Sequence, residues 1–245
     1  MIREAGVHAG KVFVVTGASS GLGKAVAVML LKNNARVIAL AGRGHSNSAP
    51  QSELVGDMRV VHCDLGIVKE LEDCFSSIIK SEARLDGVIL CHGYGDFGSI
   101  EEFSSIQILD LVKVNLISNM LICRMIVPVL KKQKRGDIIL IGSESGLKGG
   151  KKGAVYCATK FGINGFVEAL REECAASGIR VSVVNPGMVK TSFFDKLDFA
   201  PGQDRDNYLL GEDVANAVSL LLEMPQGSVI DKINLSPQKK VIRKT

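Results

Sequence analysis

Tyr156 and Lys160 stand four residues apart, a spacing that places two side chains on one face of a helix. A free phenol has a pKa near 10, too high for efficient proton exchange at neutral pH. A neighbouring ammonium favours phenolate and lowers that value. A phenol tuned in this way can deliver a proton to the alkoxide that develops when hydride reduces a carbonyl. The pair therefore points to acid–base work at a carbonyl or alcohol carbon, with Tyr156 as the proton-transfer residue. Ser143 and Ser145, in Ile141-Gly142-Ser143-Glu144-Ser145-Gly146, each offer a hydroxyl that could orient the reacting oxygen. Either could equally be a serine that serves its own loop. Asn115 falls inside a helical stretch, where Asn is a poor interior residue. Two readings stand for it: a special role, such as holding a water beside Lys160, or a place on the surface.

Such chemistry needs a hydride carrier. The apolar run Val12-Phe13-Val14-Val15 leads directly into Thr16-Gly17-Ala18-Ser19-Ser20-Gly21-Leu22-Gly23, and a helical pattern follows. Glycines permit a tight turn and a close backbone approach, and the N-terminus of a helix offers free N–H groups to a pyrophosphate. The spacing is G-x-x-x-G-x-G rather than the commoner G-x-G-x-x-G. An NAD site usually carries an acid at the end of the second strand, for the ribose 2′-hydroxyl. Here that place reads Leu40-Ala41-Gly42-Arg43-Gly44. The missing acid, and a guanidinium able to pair with a 2′-phosphate through two parallel hydrogen bonds, favour NADP(H) and leave NAD(H) open. Arg43 as a solvated surface side chain is the alternative. Asp64, followed by Leu65, ends the third apolar run. It either accepts a hydrogen bond from an adenine amino group or caps the next helix.

The elements that must position these residues alternate along the chain. Apolar runs at 12–15, 36–41, 59–63, 87–91, 136–142, 180–184 and 229–235 read as strands. Helical patterns at 21–33, 67–81, 103–132, 154–177 and 211–222 lie between them. Uninterrupted apolar strands alternating with helices predict an α/β fold, a doubly wound parallel sheet of Rossmann type with helices on both faces, a three-layer sandwich. Pro128 is expected to kink the long helix or end its last turn. Residues 188–210 break the alternation over a length that suits a lid or binding loop. With no linker and no repeat, the chain reads as a single domain over 1–245 with a substrate loop at about 188–210.

The bulk numbers narrow the function classes. The formal charge is +4, and much of the excess sits in local runs at 131–135, 148–152 and 239–244. Those runs read as solvated faces rather than as a nucleic-acid module. Six cysteines include no C-x-x-C pair, and no His cluster has metal-ligand spacing, so reduced thiols and no metal are expected. Residues 1–11 lack the apolar core of a secretory signal. No apolar run is expected to reach membrane-spanning length. The default localisation is cytoplasmic, with no membrane and no nucleic-acid partner.

Taken together, these residues resemble the short-chain dehydrogenase/reductase family in its single-domain form, over residues 11–235. The motifs occur in the family's order: T-G-x-x-x-G-x-G at 16–23, D-L at 64–65, V-N at 114–115, Ser143, Y-x-x-x-K at 156–160 and P-G at 186–187. The resemblance implies that Gly17, Ser19, Ser20, Gly21, Leu22 and Gly23 hold the pyrophosphate and flanking riboses. It implies that Asp64 and Leu65 contact adenine, and that Pro186, Gly187, Val189 and Thr191 flank the nicotinamide. Tyr156 would be the acid/base, and Lys160 would bind the nicotinamide ribose and lower the Tyr pKa. Ser143, chosen over Ser145 by the family's spacing, would orient the substrate. Asn115 would hold the water of a proton relay. The implied partners are a small carbonyl or alcohol substrate and further copies of the chain, as a homodimer or homotetramer built on the helices at 103–132 and 154–177.

Three departures stand out. Cys91, His92 and Gly93 occupy the cofactor-side position where the family usually has N-A-G, so a supporting hydrogen bond to the central sheet is lost or rerouted. Arg43 stands about one residue later than the usual NADP-selecting arginine, which leaves Ser20 and residues 44–48 as other phosphate partners. Lys148, Lys151 and Lys152 make the segment between Ser143 and Tyr156 basic, as a solvated loop or a favourable field for an anionic substrate. A catalytically silent dinucleotide sensor or scaffold of the same fold is the alternative function. Cys91 is its support, and the intact Ser143, Tyr156, Lys160 and Asn115 speak against it.

Overall fold

The computed structural model describes residues 6–42 and 56–244. Seven strands form one sheet, β1 (Val12–Thr16), β2 (Arg36–Ala41), β3 (Met58–His62), β4 (Gly87–Leu90), β5 (Gly136–Ile141), β6 (Ile179–Pro186) and β8 (Lys232–Leu235), in the order β3-β2-β1-β4-β5-β6-β8. Every neighbouring pair in it is parallel. This is the expected doubly wound sheet. The order reverses between β1 and β4, and in such sheets ligands bind beyond the carboxyl ends of the strands at that reversal. Thr16 is in register with Leu90 there, so the glycine-rich turn and Cys91-His92-Gly93 leave the sheet side by side.

The unbroken apolar strands follow from burial on both faces. Val12 and Val14 of β1 face one core with Leu71, Phe75, Ile122 and Ile126. Phe13 and Val15 face the other, with Val26, Leu30, Val214 and Val218. Helices α2 (Val68–Ser81) and α5 (Ala154–Ala175) cover the first face, and α1 (Gly21–Lys32) and α6 (Gly211–Glu223) the second. The start of β1 is pinned by the buried carboxylate of Asp86. It accepts the Val12 N–H at 2.9 Å and pairs with Arg84 and Arg135.

The expected helix at 103–132 is not uniform. A 3₁₀ turn (Ile100–Glu102) precedes α3 (Ser105–Val112), whose cap Ser104 exchanges hydrogen bonds with Gln107. A π turn (Lys113–Ile117) joins α3 to α4 (Ser118–Gln133). Pro128 lies inside α4, which runs on to Gln133 and ends at Lys134 in the left-handed conformation, φ 55°. The carbonyl that Pro128 deprives of a donor is that of Arg124, an exposed residue where water can serve it. The rod Ser105–Gln133 is also long and apolar enough to cross a membrane by length and composition, contrary to the sequence expectation. Its Leu111, Ile122, Cys123, Ile126 and Leu130 are buried in the fold, while Ile106, Leu109 and Ile117 are exposed.

The segment 188–210 carries more structure than an irregular loop. It contains two 3₁₀ turns (Ser192–Phe194 and Arg205–Asn207) and a short strand β7 (Phe199–Pro201). β7 pairs antiparallel with β9 (Ile242–Lys244) at the C-terminal end. The basic tail expected to be a solvated run is therefore a strap. Lys239 pairs with Asp206 and Lys240 with Glu144, both at 2.7 Å, and Arg243 donates to the Pro201 carbonyl. The run at 148–152 is exposed throughout, as are 239–244, and the tail differs in its pairing to the fold.

Candidate active site

The glycine-rich turn is shaped by contacts that admit no side chain. Gly17 has φ +65°, and a Cβ there would come within 3.1 Å of the His92 Cα. A Cβ on Gly23 would run into the Gly17 carbonyl. The turn hands over to α1, whose cap Ser20 makes no side-chain bond to the turn and whose first turn carries no acid. The first N–H groups of a helix have no partner inside it. The result is an electropositive, backbone-lined end that suits a phosphate. Thr191, reached from β6 through Pro186, Gly187 and Val189, lies against it. A Cβ on Gly21 would meet the Thr191 side chain at 3.6 Å.

The four residues with acid–base potential converge beside this turn. Ser143 follows β5, and its hydroxyl stands near enough to the Tyr156 phenol to favour the phenolate. It also accepts the Ser145 N–H at 3.1 Å. Tyr156 and Lys160, both 6% exposed, project from the first turns of α5. The Lys160 Nζ donates to the Ile141 carbonyl at 3.1 Å and lies 5.8 Å from the centre of the Tyr156 ring. Asn115 sits in the π turn and is fully buried, which removes the surface reading. Its carboxamide accepts the Tyr94 N–H at 3.0 Å and donates to the Tyr94 carbonyl at 2.8 Å. Its backbone carbonyl accepts the Asn119 amide at 2.9 Å. A Cβ on Gly93 would stand 2.9 Å from the Asn115 Oδ1 and 3.9 Å from the Lys160 Nζ. Over Tyr156 lie Phe97, ring centre 5.0 Å away, and Phe193, 6.0 Å away.

The sequence pattern of the family described as short chain dehydrogenase matches residues 11–200. This chain belongs to that family. It is 33% identical over 220 residues to a 3-oxoacyl-[acyl-carrier-protein] reductase of Bos taurus, covering 88% of this chain and 92% of the relative. An uncharacterized oxidoreductase of Staphylococcus epidermidis is 29% identical over 227 residues, covering 93% and 97%. Among solved structures, a metagenomic short-chain oxidoreductase in complex with NADP is 29% identical, with a TM-score of 0.78 over 95% of this chain and 99% of that one.

The electrostatics of this short-chain dehydrogenase correct one expectation. The Tyr156 phenol is not lowered. Burial pushes it up to about 12, with the neighbouring Ser143 hydroxyl acting in the opposite direction. Lys160 is itself pushed down to about 8 by burial. Its ammonium is turned toward the Ile141 carbonyl, and what acts against burial at the phenol is the Ser143 hydroxyl. The Cys91 thiol is pushed up to about 12 by burial, which leaves it a packing residue and no nucleophile.

Asp64 does not cap α2: its Oδ1 accepts the Gly66 N–H at 2.9 Å, closing a turn, while Ile67 is the cap residue. Leu65 packs on the core beneath. Arg43 and the loop 44–48 lie outside the described residues. Sequence reasoning missed a buried carboxamide network behind Ser143. Asn185 Oδ1 accepts the Ser143 N–H at 3.1 Å and the Asn164 amide at 3.2 Å. Asn185 Nδ2 donates to the Asn164 Oδ1 and the Asn234 Oδ1. The available signal was a lone Asn in the otherwise apolar run Val183-Val184-Asn185-Pro186.

Proposed function

We propose that this short-chain dehydrogenase transfers hydride between NADP(H) and a carbonyl or secondary alcohol, with Tyr156 as the acid/base. The observation that carries the reading is the convergence of Ser143, Tyr156 and Lys160 beside a turn whose Gly17 and Gly23 leave no room for a Cβ. That turn fits the pyrophosphate of a nicotinamide dinucleotide. Such a dinucleotide, when bound, supplies the hydride. The chain's groups do the rest. Ser143 and Tyr156 hold the substrate oxygen by their hydroxyls, and Tyr156 gives its proton to the developing alkoxide. Lys160 holds the nicotinamide ribose. With its pKa pushed up to about 12, the phenol carries its proton at neutral pH, the state that reduction requires. Phe97, Phe193, Phe194 and Phe199 form a ring-on-ring cover that excludes water and favours an apolar carbonyl substrate.

The missing acid after β2 and the NADP complex of the 29% identical oxidoreductase support NADP(H), with Arg43 as a candidate partner of the 2′-phosphate. We read residues 1–245 as one cytoplasmic domain with its substrate loop at 188–210, and as a homodimer or homotetramer. Ile106 and Leu109 of α3, 71% and 66% exposed, and Phe161 of α5 are apolar side chains that such an interface would cover. The test is fluorescence titration with NADPH and NADH, followed by NADPH oxidation against a panel of aldehydes and ketones. Tighter NADPH binding with turnover supports the reading. Tight binding with no oxidation on any carbonyl favours the silent sensor.

A further inference from the structure

We propose that His92 is a positioning residue whose imidazole ties the glycine-rich turn to the π turn holding Asn115, and so fixes the dinucleotide end of the site against the Asn115–Lys160 end. Only its kinetic consequence rests on the proposed oxidoreductase function.

The imidazole is engaged at both nitrogens. Its Nδ1 lies 2.7 Å from the Thr16 hydroxyl oxygen and its Nε2 lies 2.7 Å from the Ser118 hydroxyl oxygen. Thr16 ends β1, and its oxygen already accepts the Cys91 N–H at 3.0 Å and the His92 N–H at 3.4 Å. Ser118 opens α4, and its hydroxyl donates to the Val114 carbonyl at 2.6 Å. A hydroxyl has one proton to give, and Ser118 spends it on Val114. Ser118 must therefore accept at the imidazole, so the Nε2 carries the proton and donates. The Nδ1 is then bare and accepts from Thr16, whose oxygen is already loaded with two N–H donors. One arrangement satisfies every group: Thr16 O–H to Nδ1, Nε2–H to Ser118, and Ser118 O–H to Val114.

The two anchors bracket the chemistry. Val114 and Ser118 flank Asn115 within and beside the π turn Lys113–Ile117. Thr16 directly precedes Gly17, whose φ of +65° sets the phosphate-facing turn. A rigid planar ring spanning the two holds both at a fixed separation. A protonated imidazole would need a second acceptor at Thr16 and would stand near the Lys160 ammonium. In keeping with this, burial first and Lys160 second hold the His92 pKa down to about 3. This chain thus reroutes, through the residue after Cys91, the support that the family's Asn usually gives.

The test has two arms on the full chain. In the first, histidine-selective ¹⁵N spectra are recorded, with the His92 signals assigned by their loss in His92→Gln. The expected result is an Nε2–H tautomer that does not titrate between about pH 5 and 8, the window in which an ordinary histidine changes charge. An Nδ1–H tautomer, or titration near the ordinary value, overturns the proposal. This arm decides the matter even if the chain turns over no carbonyl, an outcome that would sink the proposed function instead. In the second arm, NADPH oxidation with 9,10-phenanthrenequinone is followed. His92→Phe keeps the ring and drops both nitrogens. It is expected to cut kcat by about ten- to a hundredfold at little change in KM, as a misplaced site does. His92→Gln, which can still donate to Ser118, should recover part of that loss, and Ser118→Ala should reproduce it. The double variant should be no worse than His92→Phe alone. Unchanged kcat in folded His92→Phe, or losses that add in the double variant, overturn it. Where His92→Phe does not fold, Ser118→Ala takes its place, and unchanged kcat in folded Ser118→Ala overturns the proposal.

Discussion

The side-chain carbonyl of Asn185, at the end of β6, accepts the backbone N–H of Ser143 at 3.1 Å across 42 residues of chain. The same carboxamide exchanges hydrogen bonds with Asn164 on α5, four residues after Lys160. One buried side chain therefore fixes the loop of the substrate-orienting serine to the helix of the acid–base pair. Asn185→Ala orphans the Ser143 N–H and takes the donor from the Asn164 Oδ1, while the Asn164 amide keeps the Lys160 carbonyl. Each buried group left without a partner costs about 1–3 kcal/mol, so we expect a loss of about 2–4 kcal/mol in denaturant unfolding. A fall in kcat larger than the change in KM should accompany it. Unaltered kcat in a destabilised variant would show that the network serves the fold alone.

The pH dependence should report Lys160. Its pKa is pushed down to about 8 by burial, so the ammonium dominates below that value and the neutral amine above it. The phenol, pushed up to about 12, keeps its proton throughout the window. For NADPH, kcat/KM reports groups of the free enzyme. It should be flat below about pH 7 and fall by about tenfold per unit above pH 8 as the single proton is lost. A profile flat to pH 10 would contradict the placement of the amine.

The C-terminal strap should hold the substrate loop. The Gly202 N–H donates to the Val241 carbonyl at 2.9 Å, and Lys239 N–H donates to the Asp206 carbonyl at 2.8 Å. Removing residues 238–245 should raise hydrogen exchange across 199–206 and raise the KM for the carbonyl substrate. Helix α1 and β1 should keep wild-type protection. Wild-type exchange at 199–206 in the truncated chain would show that the loop holds itself.

At the opposite end of the sheet, Asp86 should matter for stability alone. Its carboxylate, 4% exposed, is shared by the Val12 N–H and two arginines. Asp86→Ala orphans the buried Val12 N–H, while the half-exposed arginines turn to water, and should cost about 1–3 kcal/mol. NADPH affinity should not change, because the glycine-rich turn leaves β1 at its other end.

Much of this arrangement was legible from residue order. Strands buried on both faces advertise themselves as unbroken apolar runs, and the glycine-rich turn needs a strand before it and a helix after, both visible. Three features were not. The π turn at Lys113–Ile117 uses residues with ordinary helical preferences, and only the packing of Asn115 against Tyr94 reveals it. Strand β9 is basic and exposed, so nothing in its composition separates a strap from a solvated tail. The direction of the Tyr156 shift depends on how dry the site is, since burial is the largest influence on the phenol. The Asn of Val183-Val184-Asn185-Pro186 was visible, and its partners Ser143 and Asn164 are too distant in sequence to be read.

The Tyr156 proton is the centre of the proposed chemistry. Tyr156→Phe keeps the ring that packs on Phe97 and Phe193 and removes only the hydroxyl. With NADPH and whichever carbonyl compound the wild type reduces best, single-turnover rates should fall by about 10²- to 10⁴-fold, the usual worth of a positioned general acid. NADPH affinity should stay at the wild-type level. A rate within a few-fold of wild type would mean that another group delivers the proton.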